Sequence, residues 1–189
     1  MSLGSWYCIL TNATAILPSI MLYKRNMIAD CFMCAWTGLA SLLYHFDRLE
    51  YSFMNPVSIR NTDIIMANLL VFHTTNILCL KRSTRKWSFT TFVLPIVIYT
   101  ADVDLMIRVG IMISYGIIGV IYAIIHRKKE ELKWIVGGCL LIFAELCFFI
   151  FGNKNSYAWL HGSHHIAAFL SMASFIKTVP YKNAIELPI

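Results

Sequence analysis

Seven apolar runs, most of them near the length a helix needs to cross a hydrocarbon layer, follow one another through almost the whole chain. They can be drawn as Trp6–Tyr23, Met27–Phe46, Asn61–Leu80, Trp87–Ala101, Leu105–Ile125, Leu132–Phe151 and Ala158–Thr178. A backbone placed in lipid must satisfy its own hydrogen bonds, and an uninterrupted apolar run does so as a helix. The expected fold is therefore an all-α membrane protein, a seven-transmembrane helix bundle filling residues 1–189 as one domain. With 58% hydrophobic and 14% charged residues, the chain is too apolar for an ordinary soluble domain. The first run lacks the basic flank of a cleaved leader, and further runs follow it. The fourth is short and contains Pro95, which a membrane helix tolerates where neighbours satisfy the released backbone.

The basic residues give this bundle a direction. Lys24 and Arg25 follow the first run, and Lys81, Arg82, Arg85 and Lys86 follow the third. Arg127, Lys128, Lys129 and Lys133 separate the fifth from the sixth, and Lys177 and Lys182 lie in the tail. These are twelve of the sixteen basic residues; Arg48, Arg60, Arg108 and Lys154 fall nearer the other side. The excess of positive charge on cytosolic loops places the N-terminus outside and the C-terminus in the cytosol. The same loops account for the net charge of +6, and no aromatic-studded basic face or recognition motif points to nucleic acid.

Against that background the histidines stand out, because ionisable side chains inside a bilayer are expensive and mark sites or internal pairs. His161 and His165 are four residues apart and project from one helix face. His45 ends the second run, one turn after Ser41. With the topology above, His45 and Ser41, Asp63 at the start of the third run, Glu145 late in the sixth, and His161 and His165 early in the seventh all converge near the outer side. Three imidazoles suit a zinc ion with one open position for water, whose pKa the metal lowers to about 7. Asp63 can take a proton from that water or hold a ligand histidine in place. Ser41 can donate a hydrogen bond to an oxyanion. Together these parts would suffice for hydrolysis of an amide or ester bond in a lipid.

Each residue also has a plainer reading. His45 can be a hydrogen-bonded interfacial residue, Ser41 helix-packing glue, and Asp63, after Thr62, the cap of the third helix. His161 and His164, at i and i+3, can share a face as well as His161 and His165. Glu145 can pair with Arg108. His73, in mid-run, is read as structural and His126 as solvated. The six cysteines all fall in apolar runs, so Cys31-x-x-Cys34 is read as packing rather than as a metal or redox pair. Asn12-Ala-Thr14 matches a glycosylation sequon but lies within the first run. The glycines Gly110, Gly116, Gly119, Gly137 and Gly138 allow close helix contact, within the chain or in a dimer.

Ser41-x-x-x-His45, Asp63 and His161-x-x-x-His165 together resemble the motif set of the seven-span CREST superfamily, which includes alkaline ceramidases, adiponectin and progestin receptors, and GPI-processing lipid hydrolases. The resemblance covers essentially the whole chain. It implies that His45, His161 and His165 bind zinc, with Ser41 and Asp63 as polar partners and as the catalytic pair if the protein is an enzyme. Two longer segments, LTNATAILPSIMLYKRNMIADCFMCAWTGLASLLYHFD and FFIFGNKNSYAWLHGSHHIAAFLSMASF, resemble the myomaker branch and its larger relatives, the GPI-cleaving phospholipases. That branch implies a plasma-membrane protein promoting fusion of muscle precursor cells, acting with a partner fusogen and allowing a homodimer. The tail YKNAIELPI departs from the cysteine-rich tail of myomaker proteins. The alternative function implied is a zinc-dependent intramembrane lipid hydrolase, a ceramidase-like amidase or a phospholipase.

Overall fold

In the computed structural model, residues 3–47, 55–80, 96–97, 105–151 and 157–179 are described. Among them the chain is all-helical, without strands. The helices are α1 (Leu3–Thr11), α2 (Ile16–Tyr23), α3 (Ile28–Asp47), α4 (Pro56–Leu80), α5 (Leu105–His126), α6 (Lys129–Phe151) and α7 (Tyr157–Ile176). Six of the seven apolar runs thus correspond to helical segments. The fourth, Trp87–Ala101 with Pro95, lies outside the described residues apart from helical Ile96–Val97.

The first run is α1 and α2 joined by a 3-10 turn, Asn12–Ala15. Pro18 explains the tightening: it has no N–H to donate to the carbonyl of Thr14, and its ring crowds that carbonyl. The α2–α3 connection is a Schellman motif. Asn26 adopts a left-handed φ of 58°, Met27 N–H donates to Leu22 O at 3.0 Å and Asn26 N–H to Tyr23 O at 2.9 Å. The buried side chains of Met27 and Leu22 belong to one apolar cluster, the contact that usually accompanies this motif.

α4 begins five residues before the expected Asn61. Asn55 caps it, its Oδ1 accepting from Val57 N–H at 3.0 Å, and Pro56 takes the first helical position, where its missing N–H costs nothing. Asp63 therefore lies well inside the helix, and the reading of Asp63 as its cap is corrected.

α7 is the centre of the packing. It touches α1, α2, α4 and α6, while α3 packs on α2 and α4, and α4 on α5. The main apolar cluster draws Leu22 from α2, Cys34 from α3, Leu70 and Ile77 from α4, and Phe169 and Met172 from α7. Cys34 is buried here and Cys31 packs against the cluster, in keeping with a packing role for that pair. Large apolar side chains also face outward in number, among them Leu10, Phe32, Ile118, Ile125 and Phe143. By length and composition, Ser5–Tyr23 is one helical stretch able to cross a membrane among the described residues.

Two arginines fasten one end of the molecule. Arg127 Nε donates to Leu78 O and Nη2 to Ile77 O, both at 3.1 Å, and Nη1 to Thr178 O at 3.2 Å. Arg25 Nε donates to Val179 O at 3.1 Å. Both side chains are buried at the C-terminal ends of helices, where carbonyls lack intrahelical donors and the helix dipole favours a cation. Their reading as loop charges is incomplete, since they cap helices. They nonetheless show that α2, α4, α5 and α7 all end at the same end of the molecule.

Candidate metal centre

The opposite end holds the histidines. His45 lies in the last turn of α3, and His161 and His165 lie in the first half of α7. Their ring centroids form a compact triangle: 4.7 Å from His45 to His161, 5.2 Å from His45 to His165 and 4.7 Å from His161 to His165. His45 and His165 are buried and His161 half-buried. His164 stands apart, its ring 6.0 Å from His161 and 6.2 Å from His165. The i, i+4 pair therefore shares the face toward His45, as helix geometry favours.

A fourth donor joins the triangle. The Sγ of Cys8, buried in α1, and one nitrogen from each of the three histidines all lie within 4.8 Å of one another. This buried Cys/His group could hold a metal ion. Nothing in the sequence marks Cys8, because its role depends on α1 packing along α7. The contact is made possible by Gly162: a Cβ there would meet the Tyr7 ring at 2.7 Å and the Cys8 Cα at 3.2 Å. On either side of Cys8 the two helices are fastened. Tyr7 stacks on Trp159 with centroids 4.6 Å apart, and its hydroxyl lies 3.2 Å from Ser163 Oγ.

Thr11, one turn after Cys8, is placed to favour one tautomer of His165. Its hydroxyl donates to Cys8 O at 2.9 Å, so at 3.2 Å from His165 Nδ1 its oxygen accepts the Nδ1 proton. The lone pair then resides on Nε2, and fixing a ring in this way is what a metal-ligating histidine needs. Ser41 Oγ sits 3.2 Å from that Nε2. Ser41 also hydrogen-bonds Asp63. A serine has one proton for two acceptors. Were Nε2 to hold an ion, the Ser41 proton would be left for Asp63.

The structure thus brings together every site residue expected from sequence: His45, His161, His165, Ser41 and Asp63. The side chains of Glu145 and Arg108 lie outside the described residues. His73 is paired elsewhere, its Nδ1 3.0 Å from Asp30 Oδ1 in a buried contact between α4 and α3. His126 is exposed at the end of α5, stacked on Tyr122. Asn12 is buried, its amide donating to Cys8 O, so the sequon has no access to modification in the fold.

No curated protein matches the chain. Residues 2–166, a stretch that includes Cys8, Ser41, His45, Asp63, His161 and His165, match the family described as Protein of unknown function (DUF3522), and the chain belongs to that family.

Proposed function

We propose that this protein is a seven-span membrane protein of the CREST type, carrying a zinc ion on His45, His161 and His165 near the exoplasmic side and hydrolysing an amide or ester bond in a membrane lipid. The observation that carries this reading is the chain of contacts from Asp63 through Ser41 to His165 Nε2. A purely structural ion needs neither a carboxylate nor a hydroxyl at its edge.

The bundle supports the membrane part. Outward-facing isoleucines along α5 and the apolar faces of α2 and α3 would be costly in water and suit lipid. α4 and α5 both end at the arginine end, so α5 begins at the histidine end, an arrangement that suits helices crossing one layer. With basic loops facing the cytosol, the histidine end faces outward.

Zinc held here supplies Lewis-acid polarisation of a carbonyl or phosphoryl oxygen. The chain's own residues do the rest. Thr11 holds the His165 ring in its tautomer. Asp63 accepts a proton from the attacking water, a task worth about 10²–10⁴ in rate. Once protonated it no longer attracts the Ser41 hydrogen, and the hydroxyl is released to donate to the oxyanion, worth about 10²–10³.

The test is release of fatty acid from amide- and ester-linked lipids in vesicles by the zinc-loaded protein. Wild type is expected to release it, Asp63→Ala to do so at least about a hundredfold more slowly, and His165→Ala not at all. Equal rates for wild type and Asp63→Ala would defeat the assignment.

A second reading, a myomaker-like protein promoting cell–cell fusion at the plasma membrane with a partner fusogen, has a specific observation in its favour. Cys8 can complete a four-coordinate zinc, the closed form typical of structural sites. Content mixing between cells that express the chain and cells that express a fusogen would test it. Fusion that survives Asp63→Ala but not His165→Ala is the outcome expected of a structural ion.

A further inference from the structure

The three-histidine centre lies against a sulfur that a plain hydrolase would not need. A tetrahedral ion with Zn–N of about 2.0–2.1 Å and Zn–S of about 2.3 Å has donor-to-donor edges of about 3.3–3.6 Å. The Cys8 Sγ and the three nitrogens already lie within 4.8 Å of one another. The backbone that carries Cys8 is also set in place from several sides. Its carbonyl accepts from Thr11 Oγ1 at 2.9 Å and Asn12 Nδ2 at 3.1 Å. Gly162 leaves room for α1 to lie on α7 at this level, and Thr11 ties Cys8 to the ring of His165.

We infer that Cys8 is the fourth ligand of the centre, so that the ion rests in a closed site of one thiolate and three imidazoles, and the position a reacting water needs is occupied by the thiolate. This rests on the metal-site reading above and adds a form of control to it. Lipid hydrolysis at this ion would then require Cys8 to leave it and let water in. The ligand class is a thiophilic divalent ion, zinc foremost, since soft sulfur with imidazole selects it over magnesium or calcium.

The deciding experiment is zinc-edge X-ray absorption on the zinc-loaded full chain in detergent, wild type beside Cys8→Ser. Wild type is expected to show one sulfur at about 2.3 Å and nitrogens at about 2.0–2.1 Å. Cys8→Ser is expected to keep its zinc on the three histidines and lose the sulfur. A wild-type spectrum with zinc bound and no sulfur overturns the inference while leaving the histidine centre standing. Wild-type protein that takes up no zinc removes the histidine centre as well, so the two failures are distinct. If Cys8→Ser does not fold, the wild-type spectrum decides alone, supported by cobalt(II) substitution, where a thiolate-to-metal charge-transfer band reports the same bond.

Discussion

His165 is the residue on which the site turns. Its Nδ1 is committed to Thr11, and its Nε2 faces Ser41 beside the rings of His45 and His161. Replacing it removes a proposed ligand and also takes from Thr11 and Ser41 the ring they both contact. His45→Ala, His161→Ala and His165→Ala are each expected to strip the ion and lower stability, with His164→Ala retaining it. Elemental analysis of the four purified variants checks this, and equal loss from His164→Ala and His165→Ala would undo the ligand assignment. Thr11→Val makes a finer prediction: the ring loses its orienting acceptor, and metal affinity falls about 10–100-fold. An unchanged affinity in a competition titration would remove Thr11 from that role. Spacing alone could identify His161 with His165, because residues four apart on a helix share a face. Neither Cys8 nor Thr11 was legible, since both act across an interface between the first and last helices of the chain.

Helix boundaries were legible where hydropathy changes sharply and shifted where capping chemistry governs. α5 begins at the expected Leu105, whereas α4 starts at Pro56 because Asn55 and Pro56 form a cap upstream of the apolar run. Helix pairing follows from small residues and buried polar contacts that hydropathy does not report. A Cβ on Gly119 would meet Thr75 and one on Gly138 would meet Phe175, so these glycines serve packing within the chain; a Cβ on Gly110 or Gly116 would meet nothing within 4 Å among the described residues. Gly162→Ala is expected to push α1 off α7 and weaken zinc binding with all three histidines present. Gly138→Ala, which crowds Phe175 between α6 and α7, is expected to lower thermal stability without changing metal content. If both variants behave alike, the local role of Gly162 is wrong. Asp30→Ala removes the buried contact to His73 between α3 and α4, and a cost of about 1–3 kcal/mol is expected in an unfolding titration.

The whole molecule is organised as two ends with different chemistry. At one, Arg25 and Arg127 close the C-terminal ends of helices; at the other, α1, α3, α4 and α7 bring thiol, imidazole, hydroxyl and carboxylate to one place. The charge count read the first end as cytosolic loops. The structure adds that two of those charges are buried caps, because a guanidinium can satisfy several carbonyls at once. The orientation proposed from charge predicts that an N-terminal epitope is reached by antibody on intact cells and a C-terminal one only after permeabilisation. The reverse pattern would turn the site toward the cytosol. The proposal that the histidine end holds zinc is tested by the metal content of the purified chain, read by elemental analysis. The account predicts about one zinc per wild-type chain and none in His165→Ala. Wild-type protein without metal, or zinc retained in full by His165→Ala, would contradict it.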